Sequence, residues 1–141
     1  MTGPVTGPAT GLVVGIGARR GVGADAVRAA LARVAREHGL DLGDAVVATV
    51  ESKLGEPGLL RAIAPSVPVG VPAAVLARVE VPHPDDRAAR AVGTASVAEA
   101  AALHTAHRLA GDTGAGPDVT LVVPKTAIDG VTVAVARYHR P

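Results

Sequence analysis

Three short stretches of this sequence gather the residue types that bind anions. In GLVVGIGARRGVGADAVRAAL, residues 11–31, Gly15, Gly17 and Gly21 surround Arg19 and Arg20 between an apolar run and an alanine-rich segment. Backbone N–H groups at a helix start, with two guanidinium forks beside them, suit carboxylate or phosphate oxygens. ESKLGEPG places Glu51, Lys53 and Glu56 within six residues. As pocket residues, Lys53 would contact an anion and Glu56 would serve as a general base or as a partner holding Lys53. A local ion pair at a helix start would explain the same trio with no ligand. In GTASVAE, Ser96 and Glu99 have capping-box spacing, with Ser96 at the N-cap and Glu99 at the third helical position. Such a helix start presents the N–H groups near Gly93 and Thr94 to an anion. Lys125, in VVPKTAIDG, is either a hairpin surface charge or a further positive group at the same rim.

The opening turn does not have the dinucleotide fingerprint. Gly15, Gly17 and Gly21 read G-x-G-x-x-x-G, one residue longer than the spacing that brings a helix N-terminus onto a pyrophosphate. The ribose-binding acid also lacks a good candidate, since Glu37 falls on the solvent side of the first helix and Glu51 lies too far along. No Gly-Lys-Ser/Thr follows, so there is no P-loop. Two alternatives to a carboxylate site stay open: glycines that only permit a tight turn and close helix–strand contact, and a Rossmann-like enzyme with a nucleotide cofactor at the Gly-Arg turn.

Other chemistries are narrowed by composition. The chain has no cysteine, which removes thiolate metal sites and thiol catalysis. His104 and His107 are three apart with no third ligand at a matching distance, and are expected to be solvated. His83 lies in a proline-pinned loop, where it would titrate near neutrality. No Ser/His/Asp arrangement can be recognised from spacing, and neither a cofactor nor a metal site is expected. Fourteen Lys and Arg against 13 Asp and Glu leave a net charge of +1, so no bulk field favours nucleic acid or an anionic membrane. One Tyr, with no Phe or Trp, offers no stacking platform for single-stranded nucleic acid. MTGPVTGPATG has neither a basic nor an apolar signal region, and no run reaches the ~18 apolar residues of a membrane span. A cytoplasmic protein is expected.

The elements that must position these groups form one domain over residues 12–141, after a Thr-Gly-Pro-rich arm at residues 1–11 expected to be disordered. Leu12 to Ile16 is a continuous apolar run of the kind buried on both faces of a sheet. Ala24 to His38 follows as a helix with Val27, Ala30, Leu31 and Val34 on one stripe and Gly39 as its stop. Ala45 to Val50 is a second strand, and EPGLLRAIA a short helix that begins at Pro57. Val67 to Val71 predicts a third strand near an edge, because proline cannot donate to a ladder. PAAVLARV and PDDRAARAV suggest short helical turns, a longer helix runs from Ser96 to about Leu109, and GDTGAGPD is a loop. VTLVV and VTVAVAR, joined by PKTAIDG, are too closely linked for a crossover helix and should pair antiparallel. The expected fold is a three-layer α/β/α domain with a mixed, mostly parallel sheet and an antiparallel C-terminal strand pair. Ligands of such sheets gather at the carboxyl ends of the parallel strands, where the three anion-binding stretches would converge.

GIGARRG, TVESKLGEPGLL, VGTASVAEAAAL, VVPK and VTVAVAR, in this order, resemble the CobE/CbiG C-terminal domain family of cobalamin biosynthesis over residues 12–137. The chain is most similar to the family's stand-alone form. The resemblance implies an α/β fold and a precorrin or other corrinoid intermediate as ligand, with other cobalamin-pathway enzymes as further partners and no nucleic acid or membrane. It also implies a role as carrier, or as accessory to the lactone-opening chemistry of a cobalt-precorrin-5A hydrolase. Whether this domain itself catalyses a reaction stays open, with Glu56 the candidate catalytic residue. Carried over by motif, the binders or shapers of the site are Gly15, Gly17, Arg19, Arg20, Gly21, Lys53, Glu56, Gly93, Thr94, Ser96, Glu99 and Lys125. Asp85 departs from the family's pattern, in which a small hydroxyl residue commonly follows the proline.

Overall fold

A computed structural model describes residues 10–79, 94–111 and 118–139, with residues 94–96 described by their backbone alone. The segment 1–9, His83, Asp85, the PDDRAARAV turn, Gly93 and most of the GDTGAGPD loop lie outside the described residues. The chain forms β1 (Thr10–Ala18), α1 (Ala24–His38), β2 (Val46–Val50), a 3-10 turn (Glu51–Lys53), α2 (Pro57–Ile63), β3 (Val69–Val71), α3 (Ala73–Leu76), α4 (Thr94–Ala110), β4 (Val119–Ile128) and β5 (Val131–His139). The sheet order is β3-β2-β1-β5-β4. β1 pairs in parallel with β2, and β2 with β3, while β5 runs antiparallel to both β1 and β4. Four strands therefore point one way and β5 alone points back. The expected third strand does lie at an edge, flanked by Pro68 and Pro72.

The alternation of β1 explains the three layers. Val14, Ile16 and Ala18 pack with Val27, Ala30 and Val34 of α1 and with Leu59 and Ile63 of α2. Val13, on the other face, joins Ala48, Val71, Ala136 and a row of α4 alanines: Ala101, Ala102, Ala106 and Ala110. Because both surfaces of that second layer are built from small side chains, helix and sheet approach closely. At Gly15 the approach is closest: a Cβ there would collide with the Ala98 carbonyl oxygen and lie 2.9 Å from the Ala102 nitrogen.

α1 ends as expected, at Gly39 in the left-handed conformation (φ 63°), whose N–H donates to the Ala35 carbonyl. Its outward face carries the ion pairs Arg28–Asp25 at 2.9 Å and Arg33–Glu37 at 3.1 Å. α4 runs opposite to the four co-directional strands, since it must return the chain to Val119, which pairs with Tyr138 near the start of β1.

β2 and β3 start one and two residues later than the sequence suggests, at Val46 and Val69, and three boundaries of β1 and β4 differ from the sequence expectation. β1 begins at Thr10, paired with His139, so Thr10 and Gly11 belong to the sheet rather than to the arm. The strand also continues through Gly15 and Gly17 to Ala18, because β5 supplies an unbroken ladder beside it. Finally, most of the expected PKTAIDG connection is strand: β4 reaches Ile128, and only Asp129 and Gly130 turn the chain. Both have positive φ, 50° and 82°, as a two-residue hairpin loop requires. Pro124 is tolerated within β4 because β4 is an edge strand with irregular register there.

Candidate functional site

The carboxyl ends of β1, β2 and β4 share one edge of the sheet, since Ala18 pairs with Val131 and Val131 with Ile128. Arg19 and Arg20 follow β1, Lys53 closes the 3-10 turn after β2, and Lys125 lies three residues before Ile128 in β4. β2 and β4 are separated by β1 and β5, so at the usual ladder spacing this cationic edge is about 14 Å wide. Arg19 and Arg20 are exposed, and Lys53 and Lys125 half-buried. The ion pairs among the described residues join side chains within α1, and none engages these four cations. The expected local ion pair among Glu51, Lys53 and Glu56 does not form. The segment instead folds through backbone bonds, from Leu54 N–H to the Glu51 carbonyl at 3.1 Å and from Glu56 N–H to the Lys53 carbonyl at 3.0 Å.

Glu56 faces the opening turn. Its Oε1 accepts a 2.8 Å hydrogen bond from the Gly21 N–H, and Gly21 adopts φ 81°. Beside it, Gly58 packs directly on the Val22 carbonyl oxygen, leaving no room for a Cβ. The start of α2 is thus fastened to the turn before α1. One amide that sequence reasoning assigned to a ligand anion is occupied by the protein's own carboxylate, which also stands against a pyrophosphate at this turn. Of the three turn glycines, only Gly21 lies in the turn; Gly15 and Gly17 are buried in β1, where Gly15 admits α4.

Arg19 and Arg20 are not equivalent. A Cβ on Gly130 would sit 3.0 Å from Arg19 Nε and 3.1 Å from its Cζ, so the Arg19 guanidinium lies across the β4–β5 turn. No motif announced this contact, although Asp-Gly between two apolar runs marks the turn itself.

On the opposite side of the edge, α4 opens at Thr94, so Ser96 lies inside its first turn rather than at the N-cap. Nothing in Thr-Ala-Ser prevents helical backbone from extending upstream of the motif. Glu99 is fully buried and its Oε2 accepts the Lys125 N–H at 2.9 Å. The sequence signalled a carboxylate at a helix start but not that this one crosses to a strand.

His104 is half-buried and His107 exposed. Burial, followed by the nearby Arg108 and His107 charges, holds His104 below the ordinary histidine value. Among the described residues no cluster of three or more His, Asp or Glu could hold a metal ion. Nor is any described helix long and apolar enough to cross a membrane.

Fold and edge together define an α/β/α domain with a cationic rim at the carboxyl ends of its strands. The chain belongs to the cobalamin synthesis G C-terminus family, whose model matches residues 12–136, and so to the proteins of cobalamin biosynthesis. It is similar to CobE, a protein from the cobalamin (vitamin B12) biosynthetic pathway, at 37% identity over 95% of this chain and 94% of that one, with a TM-score of 0.72. It is similar also to the cobalamin biosynthesis protein chiG from Agrobacterium tumefaciens, at 30% identity over 89% and 96% of the two chains, with a TM-score of 0.61. A cobalamin biosynthesis protein G homologue from Sulfolobus solfataricus shares the fold at 20% identity and a TM-score of 0.66, with 92% of this chain matching 37% of that longer one. No curated protein matches the chain.

Proposed function

We propose that this domain binds a corrin-ring intermediate of cobalamin biosynthesis by its peripheral carboxylates, as a cytoplasmic carrier or as an accessory to lactone-opening chemistry. The observation that carries the reading is the set of four cations, Arg19 and Arg20 past the end of β1, Lys53 past the end of β2 and Lys125 three residues before the end of β4, with no ion-pair partner among the described residues. Precorrins carry acetate and propionate groups around a flat macrocycle, so their charges are also distributed over a wide rim. Guanidinium and ammonium groups at several points suit such a ligand better than one concentrated phosphate pocket does.

Gly21 and Glu56 then act as a fastening that shapes the turn, while side chains rather than the Gly21 amide meet the ligand. Glu56 is half-buried beside the rim, in reach of a role as base should turnover occur. Thr94 and Ser96, in the first turn of α4, complete the reading.

Visible-absorbance titration tests it. The protein is mixed with hydrogenobyrinic acid, with cobyrinic acid, which adds cobalt, and with cobinamide, which keeps the corrin ring but replaces carboxylates by amides. Saturable binding of both acids, weak binding of cobinamide and loss of affinity in the Arg19→Ala/Arg20→Ala variant support the reading. Equal binding of all three, or none by the folded protein, refutes a carboxylate-reading site. Binding of NAD(P) or ATP in their place would point to the nucleotide alternative.

A further inference from the structure

The carboxylate of Glu99 sits at 0% exposure on α4, whose other buried residues, among those described, are alanines and Thr105. Such burial is costly unless the charge is well bonded. The register of β4 shows what the group does there. Val123 pairs with Val135 and the next paired residue, Thr126, with Val133, so Pro124 and Lys125 together stand opposite Ala134 alone. This is a β-bulge, and its ladder is broken. Pro124 has no N–H to offer, while the Lys125 N–H, turned from the ladder, donates to Glu99 Oε2 at 2.9 Å. A backbone donor left half-buried without an acceptor would be destabilising, so Glu99 supplies from the helix what the neighbouring strand does not.

Bulges re-aim side chains, and the side chain re-aimed here belongs to one of only two lysines in the chain, the other being Lys53 at the end of the 3-10 turn after β2. Histidine aside, the remaining basic residues are arginines. An ammonium on a flexible stem needs its backbone fixed if it is to meet one ligand oxygen rather than sweep through solvent.

We propose that Glu99 is a positioning residue: by holding the β4 bulge through the Lys125 N–H, it sets the Lys125 ammonium to receive a ligand carboxylate at the rim. The inference rests on the corrinoid reading above for the ligand, but the positioning itself is measurable without one.

Reductive methylation with ¹³C-formaldehyde labels Lys53 and Lys125, assigned from Lys53→Met and Lys125→Met. In the free protein, Glu99→Ala should shift and sharpen the Lys125 resonance, as its backbone is released, and leave Lys53 in place. With cobyrinic acid, Glu99→Ala should weaken binding roughly 10-fold, the size of one charge-assisted hydrogen bond. In a Lys125→Met background the same substitution should change affinity by less than about 2-fold, because Glu99 acts through Lys125. A purely structural Glu99 would weaken binding equally in both backgrounds, and an unmoved Lys125 resonance would overturn the proposal outright.

If Glu99→Ala does not fold, Glu99→Gln carries the test. Glutamine keeps an acceptor oxygen, so the Lys125 resonance and the preference for cobyrinic acid over cobinamide should persist. Loss of that preference with an unmoved resonance would mean that the Glu99 charge, not its bond to β4, serves the ligand, and would refute the proposal. Should the wild type bind no corrinoid, the function proposed above fails while the lysine spectra still decide whether Glu99 positions Lys125.

Discussion

The Glu56 carboxylate accepts the Gly21 N–H at 2.8 Å, joining the first residue before α2 to the turn that follows β1. The two residues are 35 positions apart, and with the Gly58–Val22 contact they turn two separate loops into one support for Arg19 and Arg20. Replacing Glu56 by Ala should therefore cost about 1–2 kcal/mol in urea unfolding. Glu56→Gln, which retains an acceptor oxygen, should cost less than half as much. Equal stability of Glu56→Ala and wild type would show that the bond does not hold the turn.

The Gly15–Ala98 contact makes a stronger demand. A methyl group at residue 15 would meet backbone on α4, which cannot rotate aside as a side chain would. Gly15→Ala should destabilise the domain by about 3 kcal/mol or more, by displacing the whole alanine layer. Gly23, with open space around its Cβ position, is the control. Gly23→Ala should fall within about 1 kcal/mol of wild type in the same experiment.

These two glycines illustrate what the sequence could and could not reveal. The order of strands and helices was legible because Leu12 to Ile16, the α1 stripe and the C-terminal strands have strong periodicities. The site elements were legible as residue types for the same reason that charges beside glycines stand out. Their contacts were not, because they join residues distant in sequence. Gly15 looks like a turn glycine next to Gly17 and Arg19, yet β5 extends β1 past it and α4 presses on it. Glu99 looks like a capping acid because local spacing shows only its own helix, whereas its bond to Lys125 depends on a bulge in a strand 26 residues later. Arg19 and Arg20 are indistinguishable as a pair; only the Asp129–Gly130 turn beneath Arg19 separates them.

That separation is measurable. Arg19→Ala removes a side chain that covers the hairpin, so amide exchange at Gly130 and Val131 should quicken several-fold, with a stability loss of about 0.5–1 kcal/mol from lost packing of its stem. Arg20→Ala, exposed and with no ion-pair partner among the described residues, should leave both exchange and stability unchanged within about 0.5 kcal/mol. Exchange that quickens equally in the two variants would mean that the guanidinium over the turn gives it no protection.

His104 gives the domain a direction of pH dependence. Its proton affinity in the fold is lowered from the ordinary value of 6.5, first by burial and then by the Arg108 and His107 charges. The unfolded chain keeps the ordinary value, so between the two values it binds more protons than the folded one, and stability rises with pH there. The contribution is complete above about pH 6.5 and is lost as the pH falls through the lowered value. Urea midpoints should therefore drop between pH 7.5 and pH 5.5 by more in the wild type than in His104→Gln, which has nothing to titrate at that position. Subtracting the variant from the wild type removes the contributions of the titratable groups that do not interact with His104, and leaves those of His104 and of its coupling to His107. A difference that is zero, or that grows on the alkaline side, would contradict the half-buried, cation-flanked setting of His104.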